Sequence, residues 1–523
     1  MRILYIDIDS QRPDHLGCYG YHRATSPAID QLAREGIVFD QVYTPDAPCL
    51  PSRTAFYSGR FGIQTGVVGH GGTAAQPKIQ GPGRSFRDSF DDQGLGRQLQ
   101  KLGYHTAMIS PFGQRHAAWH FYAGFNEIHN TGDGGMESAE VVKPVVDKWL
   151  ADNAGKDDWF LHINYWDPHT PYRAPEDYGD PFKDDPLPAW LNDDEVIARH
   201  RKMTGPHTMG EIGMYNDNES PEYPRHPGKI TDKESLRRMI DGYDTGVKYV
   251  DDQVASIVAQ LKAAGVYDDT VIIISADHGE NLGELGIYGE HGTADAATCR
   301  IPLIIKWPDG PQGVRNSKLH YNLDLAPTLM DLLGGEKQPL WDGESYASAL
   351  TDNANVGRDE VTISQCCHVC QRSIRWDKWL YMRTYHDGFH LSRRKCSTTS
   401  KPTHTSRTTL PSSIPSFAAK ASGASPVGMM PRCRPWPLKG TMLSILSGPS
   451  SARVAPSTPA SATTICPASP SSRDSKPIWS TSKLPVARTA RMKSAAATPS
   501  KSPAWTRQAP RNPDPPRSRA FSV

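Results

Sequence analysis

Two short runs constrain this chain more than anything else in it. Ile3-Leu4-Tyr5-Ile6 and Val271-Ile272-Ile273-Ile274 are apolar at every position. Each ends in acids: Asp7-Ile8-Asp9-Ser10 after the first, and Ala276-Asp277-His278-Gly279-Glu280 beyond Ser275 after the second. A strand with one face in water alternates polar and apolar residues. A run with no polar position has both faces covered, as in a central strand of an α/β sheet between helices. Ligand sites of open α/β sheets lie beyond the carboxyl ends of such strands, where Asp9 and Asp277 both stand. Asp7 and Asp9 point the same way if the strand is regular to that point, so Asp7 reads either as support for Asp9 or as a plain strand-end acid.

Further runs supply the rest of an α/β domain. Gly36–Tyr43, Tyr104–Ser110 and Trp159–Trp166 read as strands. Ser26 can cap a helix that has Pro27 in its first turn, and Leu95–Leu102 reads as a helix closed by Gly103. Thr231-Asp232-Lys233-Glu234 reads as a capping box. It opens a long helix with Met239, Tyr243, Val247, Val250, Val254, Ile257 and Leu261 at helical spacing, ended by Gly265. Glu176 to about Ile230, rich in Asp, Pro and Gly, reads as a surface insertion. Ser373–Tyr385 alternates as a hairpin strand of a small C-terminal subdomain.

Cys49-Leu50-Pro51-Ser52-Arg53 runs directly into Thr54-Ala55-Phe56-Tyr57-Ser58-Gly59-Arg60. A cysteine at a helix start sits where backbone N–H groups and the helix dipole favour negative charge. Arg53, one turn on, is near enough to hold an anion against it. An isolated Cys-x-Pro reads as a buried free cysteine. In this context the stretch closely resembles the signature of the type I sulfatases, and the resemblance extends from Arg2 to about His390. It implies an alkaline-phosphatase-like α/β fold: a large mixed sheet between helices, with a small C-terminal subdomain that is cut short here. The implied divisions are a catalytic domain over 1–335, the start of the subdomain over 336–391 and a tail over 392–523. The resemblance also implies that a formylglycine-generating enzyme oxidises Cys49 to formylglycine, whose hydrated aldehyde is the nucleophile.

The family's other motifs carry over residue by residue. Where the pattern has two adjacent acids after the first strand, Asp9-Ser10 stands. Asp9 is the implied metal ligand, and Ser10 is a departure that offers a neutral, weaker hydroxyl. Asp277 and His278 match the second half of the metal site. With Cys49 these make a mostly hard-oxygen donor set with one imidazole, which suits Ca²⁺, with Mn²⁺ or Mg²⁺ as alternatives. The usual Gly-Lys-x-His element is Gly113-Gln114-Arg115-His116. Its lysine is lost, His116 is the implied base that helps release sulfate, and Arg115 is the candidate replacement cation. Pro168-His169-Thr170-Pro171-Tyr172 matches well and sets His169 against the bridging oxygen of the substrate. A second family lysine, ten residues before Ile301-Pro302, is His291 here. It either binds the anion when protonated or donates a proton. The implied reaction is hydrolysis of a small sulfated substrate, a carbohydrate or an aryl or alkyl sulfate.

Composition divides the chain in two. Residues 392–523 hold 21 Lys and Arg against two acids, Asp474 and Asp514, while the remainder holds 37 basic and 55 acidic residues. The acidic body excludes a nucleic-acid binder, and no run is long enough to cross a membrane. Met1-Arg2 leads straight into a strand, and nine cysteines at irregular spacing form no disulfide framework. A reducing cytoplasm is the expected compartment. The tail reads either as a disordered basic segment or as a shifted frame. With one T inserted after the Leu391 codon, permitted codons for Ser392–Pro411 read FPEEMLYDIEADPHEQNDLA, which resembles the family's ending.

Two rival functions remain open from sequence. The same fold and site could act on phosphate or phosphonate esters, or the product could be inactive through its tail. Cys366-Cys367-His368-Val369-Cys370 could suggest zinc, but no second ligand pair follows at suitable spacing, so it reads as a strand bearing thiols. His70, in Gly69-His70-Gly71-Gly72, reads equally as a substrate contact or a solvent-facing loop residue.

Overall fold

The computed structural model describes residues 1–78, 89–213, 218–386 and 388; the expectations for 392–523 lie outside the described residues. In chain order the strands are β1 (Arg2–Ile8), β2 (Ile37–Tyr43), β3 (Asp46–Ala47), β4 (His105–Ile109), β5 (Glu127–His129), β6 (Trp159–Tyr165), β7 (Thr270–Ser275), β8 (Asn281–Leu282), β9 (Tyr288–Glu290), β10 (Arg300–Ile301), β11 (Leu303–Lys306), β12 (Val314–Tyr321), β13 (Glu360–Gln365), β14 (Cys370–Trp376) and β15 (Trp379–His386). Nine of them form one sheet in the order β10-β2-β11-β7-β1-β6-β4-β5, with β12 beside β2. β1 runs parallel to β6 on one side and β7 on the other, setting Asp7 level with Asn164 and Ser275. β11 runs antiparallel to β7 and β2, so the sheet is mixed.

The two apolar runs sit where their composition demands. Leu4, Ile6, Ile272 and Ile274 enter one core with Met239, Tyr243, Val247 and Val250 of the long helix Lys233–Ala263. Their neighbours Ile3, Tyr5, Val271 and Ile273 enter the opposite core with Phe56 of the helix Cys49–Ser58 and with Leu325 and Leu329 of the helix Leu325–Leu333. Each fully buried aliphatic side chain contributes about 1.5–3 kcal/mol, so a polar residue within either run would forfeit that on one face. Asp7 and Asp9 fall where the sheet ends and the site begins.

Three local expectations need correction. The long helix is capped by Asp232 paired with Ser235, not by Thr231 with Glu234. Ser26 does not cap its own helix. It donates to Asp30 at 3.0 Å, while the first helical N–H groups, of Ala28 and Ile29, are taken by Asp251. The 176–230 insertion is more than a surface loop: Leu187, Leu191, Ile197, Met209, Ile212 and Ile230 are buried in the core of the long helix.

A second sheet runs in the order β15-β14-β13-β3. β13 pairs in parallel with β3, so Gln365 lies opposite Ala47. This pairing carries the turn after Gln365 to the chain just before Cys49. The Ser373–Tyr385 stretch, expected as one hairpin strand, is divided between β14 and β15. No helix among the described residues is long and apolar enough to cross a membrane.

Candidate functional site

Cys49 is the first residue of a ten-residue helix whose side chains are all buried. Its Sγ lies 3.0 Å from His278 Nε2. The other ring nitrogen, Nδ1, is 2.8 Å from the Gly279 carbonyl, to which it donates; this leaves Nε2 bare and turned to the sulfur. Donor atoms of Asp9, Cys49, Asp277 and His278 all lie within 4.8 Å of one another, every residue buried. Two carboxylates, one bare imidazole nitrogen and the side chain at 49 form a set that could bind a divalent cation.

Arg53 holds this set together. Its Nη2 donates to Asp9 Oδ2 at 2.8 Å and its Nε to Asp277 Oδ2 at 3.0 Å, while Nη1 reaches Asp7 Oδ2. Asp7 is not in the donor set; its Oδ2 is taken by Arg53 and lies 3.4 Å from His162 Nε2. Burial alone would raise Asp9. His169, Arg53, His278 and His291 outweigh it and hold this carboxyl well below the usual range. At Asp277 burial prevails over Arg53, Asp9 adds to it, and the pKa is raised. Ser10, in a left-handed turn at φ 60°, donates its hydroxyl to Asp9 Oδ1 at 3.0 Å. Its side chain is thus engaged with the implied ligand beside it.

The histidines form a wall. His291 stacks on His278, ring centroids 4.5 Å apart at 16°, and lies 4.9 Å from His169. Burial pushes His169 down to about 3, with Asp9 opposing and Arg115 assisting. Burial and His278 push His291 well below its ordinary value. The expected protonated His291 thus meets surroundings that keep it neutral while no substrate is bound. His116 is also pushed down, to about 4, by burial and then by Arg115 and Arg53; its Nε2 is buried without a partner. Arg115, the expected replacement cation, lies 4.8 Å over the Trp166 ring and donates to the Gly135 carbonyl at 2.7 Å.

His70, left open between a substrate contact and a loop residue, accepts a 3.3 Å hydrogen bond from Leu50 N and lies 4.7 Å from His116, the rings tilted by 47°, so it lines the cleft. Other groups at this site escaped the sequence reading. Cys366 and Cys370 face each other across a turn, 4.0 Å apart. Cys367 and His368 turn instead towards His70, with donor atoms within 4.8 Å. His368 Nδ1 pairs with Glu290, whose other oxygen is 3.0 Å from His207 Nε2. Arg173, four residues after His169, is buried against the same wall. The Pro-His-x-Pro-Tyr motif ends one residue short of it, and nothing in the spacing marked it.

Carboxylates, imidazoles and an arginine thus cluster around a helix-start cysteine at the carboxyl ends of central strands, where open α/β sheets place their ligand sites. The family model described as Sulfatase matches residues 2–335, and the chain belongs to that family and is a hydrolase of the sulfatase type. It is 25% identical over 389 residues to the multifunctional alkaline phosphatase superfamily protein PehA of Trinickia caryophylli, covering 62% of this chain and 71% of that one. It is also 25% identical over 420 residues to the N-acetylglucosamine-6-O-sulfatase of Bacteroides thetaiotaomicron, covering 68% and 72%. Among solved structures, a complex with the substrate D-glucosamine-2-N,6-O-disulfate shares the fold at TM-score 0.56 and 21% identity, covering 74% of this chain and 89% of that one. A phosphonate monoester hydrolase from Silicibacter pomeroyi does so at 0.54 and 22%, covering 74% and 87%.

Proposed function

We propose that this protein hydrolyses sulfate esters of carbohydrates to inorganic sulfate and an alcohol. The nucleophile is formylglycine made from Cys49 by a formylglycine-generating enzyme. Asp9, residue 49, Asp277 and His278 hold a divalent cation, Ca²⁺ ahead of Mn²⁺ or Mg²⁺, with Ser10 orienting Asp9. The observation that carries the reading is the placement of Cys49, at the start of a buried helix with its Sγ 3.0 Å from His278 Nε2 and within one donor set with Asp9 and Asp277.

Oxidised and hydrated, residue 49 would supply two hydroxyls on one carbon: the first attacks sulfur and later leaves with it as sulfate when its C–O bond breaks, and the second gives up its proton and becomes the aldehyde oxygen. A cation held there would supply positive charge for the sulfuryl oxygens. Arg53 fixes the two carboxylates and adds its charge from behind. Gln114 stands where the family's lysine is missing, and Arg115 beside it, over the Trp166 ring, is the candidate replacement cation. His169 and His291 line the leaving-group side. One of them would pass a proton to the departing alcohol oxygen. His116, neutral with a bare buried nitrogen, takes the proton from the second hydroxyl as sulfate leaves.

The carbohydrate assignment is supported by the named activity of the Bacteroides relative and the sulfated sugar in the structural neighbour. A second reading, a phosphate or phosphonate ester hydrolase, is favoured by the two lost lysines, by His278 and by the phosphonate hydrolase neighbour. We place the catalytic domain at 1–335, the subdomain from 336, and the protein in the cytoplasm.

The test is the intact mass of the Cys49 peptide after co-expression with the modifying enzyme, followed by activity on a sulfate ester and a phosphate diester. A loss of about 18 Da, thiol to aldehyde, with a sulfate preference is expected. An unmodified thiol, or a phosphate preference, overturns the reading.

A further inference from the structure

We propose that Arg173 is a second anion subsite on the leaving-group side of the cleft, and that the preferred substrate carries a further acidic group on its alcohol portion. This inference rests on the hydrolase reading above and narrows its substrate class.

Arg173 is only 7% exposed, yet its Nε and Nη1 have no hydrogen-bond partner. Its one bond is long, Nη2 to the Thr170 carbonyl at 3.4 Å. Among the described residues no carboxylate lies within ion-pair distance of it. Three more deeply buried arginines are treated differently. Arg12 is bonded to Asp14 and Glu284, Arg23 to Asp241 and Asp244, and Arg53 to three aspartates. Burying charged donors without partners is costly, more so than for neutral groups. A guanidinium kept in that state is pre-organised for an anion that arrives from outside, and its planar fork matches carboxylate or sulfate oxygens two at a time.

The surroundings say which part of the substrate that anion belongs to. The Thr170 carbonyl that holds Nη2 also accepts from His169 Nδ1. Guanidinium and imidazole are therefore fastened to one oxygen, and Arg173 is a neighbour of the ring assigned to the departing alcohol. Arg115 adds positive charge from the Trp166 side, and the two arginines repel each other. The nearest counter-charge is Asp167. One of its oxygens is occupied by the Ala139 N–H at 3.1 Å and the other is unpartnered, so Asp167 tempers the field without closing the site. Asp9 is already engaged by Arg53. Beside His169 the Arg173 guanidinium is thus left without an anion of its own.

Carboxylate and sulfate share the required oxyanion chemistry, so the test carries both. The formylglycine form of the full chain is assayed on three aryl sulfates of similar size: one neutral on the ring, one bearing a carboxylate and one bearing a second sulfate. The selectivity is kcat/KM for an acid-bearing ester over that for the neutral one. Wild type is expected to favour at least one acid-bearing ester. Arg173→Met is expected to lower that selectivity at least tenfold through KM, and Arg173→Lys to restore part of it. Equal losses on all three esters, or a wild type without preference, overturn the proposal. Should no sulfate ester be cleaved, the function reading fails separately. Binding of the corresponding phenols by calorimetry then decides: loss of only the acid-bearing phenol in Arg173→Met, partly regained in Arg173→Lys, supports the subsite, and no difference removes it.

Discussion

Arg53 Nε donates to Asp277 Oδ2 at 3.0 Å, joining residues 224 apart in sequence and bringing the two acidic strand ends to one cation. Without that guanidinium three buried carboxylates, Asp7, Asp9 and Asp277, would face one another. Arg53 therefore has two tasks, holding the apoprotein together and shaping the cation site.

Arg53→Met separates these tasks. Removing one partner of a buried pair costs about 3–5 kcal/mol, so the variant is expected to melt well below wild type in EDTA. A ligand that binds only the native state raises its stability, so added Ca²⁺ should return part of the loss. Thermal unfolding with and without Ca²⁺ checks this. Equal melting in EDTA would show that the carboxylates do not depend on Arg53.

Ser10 has a smaller part. Its hydroxyl donates to Asp9 Oδ1 at 3.0 Å and fixes that carboxylate from the side. Losing a group that orients a ligand typically weakens a metal about 10–100-fold. Ser10→Ala is expected at the low end, near tenfold, because Arg53 still holds the other oxygen. Calorimetric titration of the apoprotein with Ca²⁺ measures it, and an unchanged affinity would remove Ser10 from the site.

The His368–Glu290 pair sets a pH signature away from the metal ligands. At Glu290 the large effect of burial is overcome by His368 and His207, which hold the carboxyl well below 4.5. His368, against the opposing effect of burial, is raised by Glu290 and Cys367 to about 11. The histidine's contribution is complete below its unfolded value of 6.5 and fades as pH rises towards 11. The glutamate's contribution is complete above 4.5 and fades below it. The pair should stabilise most between these unfolded values. Melting of wild type and Glu290→Gln from pH 5 to 9 tests this: the gap between them should narrow as pH rises, and a constant gap would exclude the coupling.

What could be read in advance follows from how local each signal was. β1 and β7 were legible because burial on both faces removes every polar residue from the run. Asp9, Asp277 and His278 were legible because strand ends in such sheets face ligands, and Cys49 because a short motif carries it. The partners of Glu290, His70 and Arg173 were not. They depend on β13 pairing with β3 and on loops meeting across hundreds of residues, and no spacing encodes that. The cap of the long helix failed for a subtler reason. Thr231-Asp232-Lys233-Glu234 and Asp232-Lys233-Glu234-Ser235 offer competing registers one residue apart, and the short Ser235 side chain closes the second one.

The last prediction concerns β15. Among the described residues it pairs with β14 alone, and Tyr385 near its end is 52% exposed. An uncovered strand edge offers unpaired N–H and C=O groups to other chains. The alternative reading of Ser392–Pro411, with one T after the Leu391 codon, supplies Leu-Tyr-Asp and Asn-Asp-Leu-Ala in a segment able to cover such an edge. Restoring that base is expected to raise soluble yield several-fold and to sharpen the unfolding transition, with Cys49 and its neighbours untouched in sequence. Resequencing independent clones should recover the extra base. An unchanged frame in every clone, together with no gain in yield from the repair, would leave the basic tail as the genuine continuation of the protein.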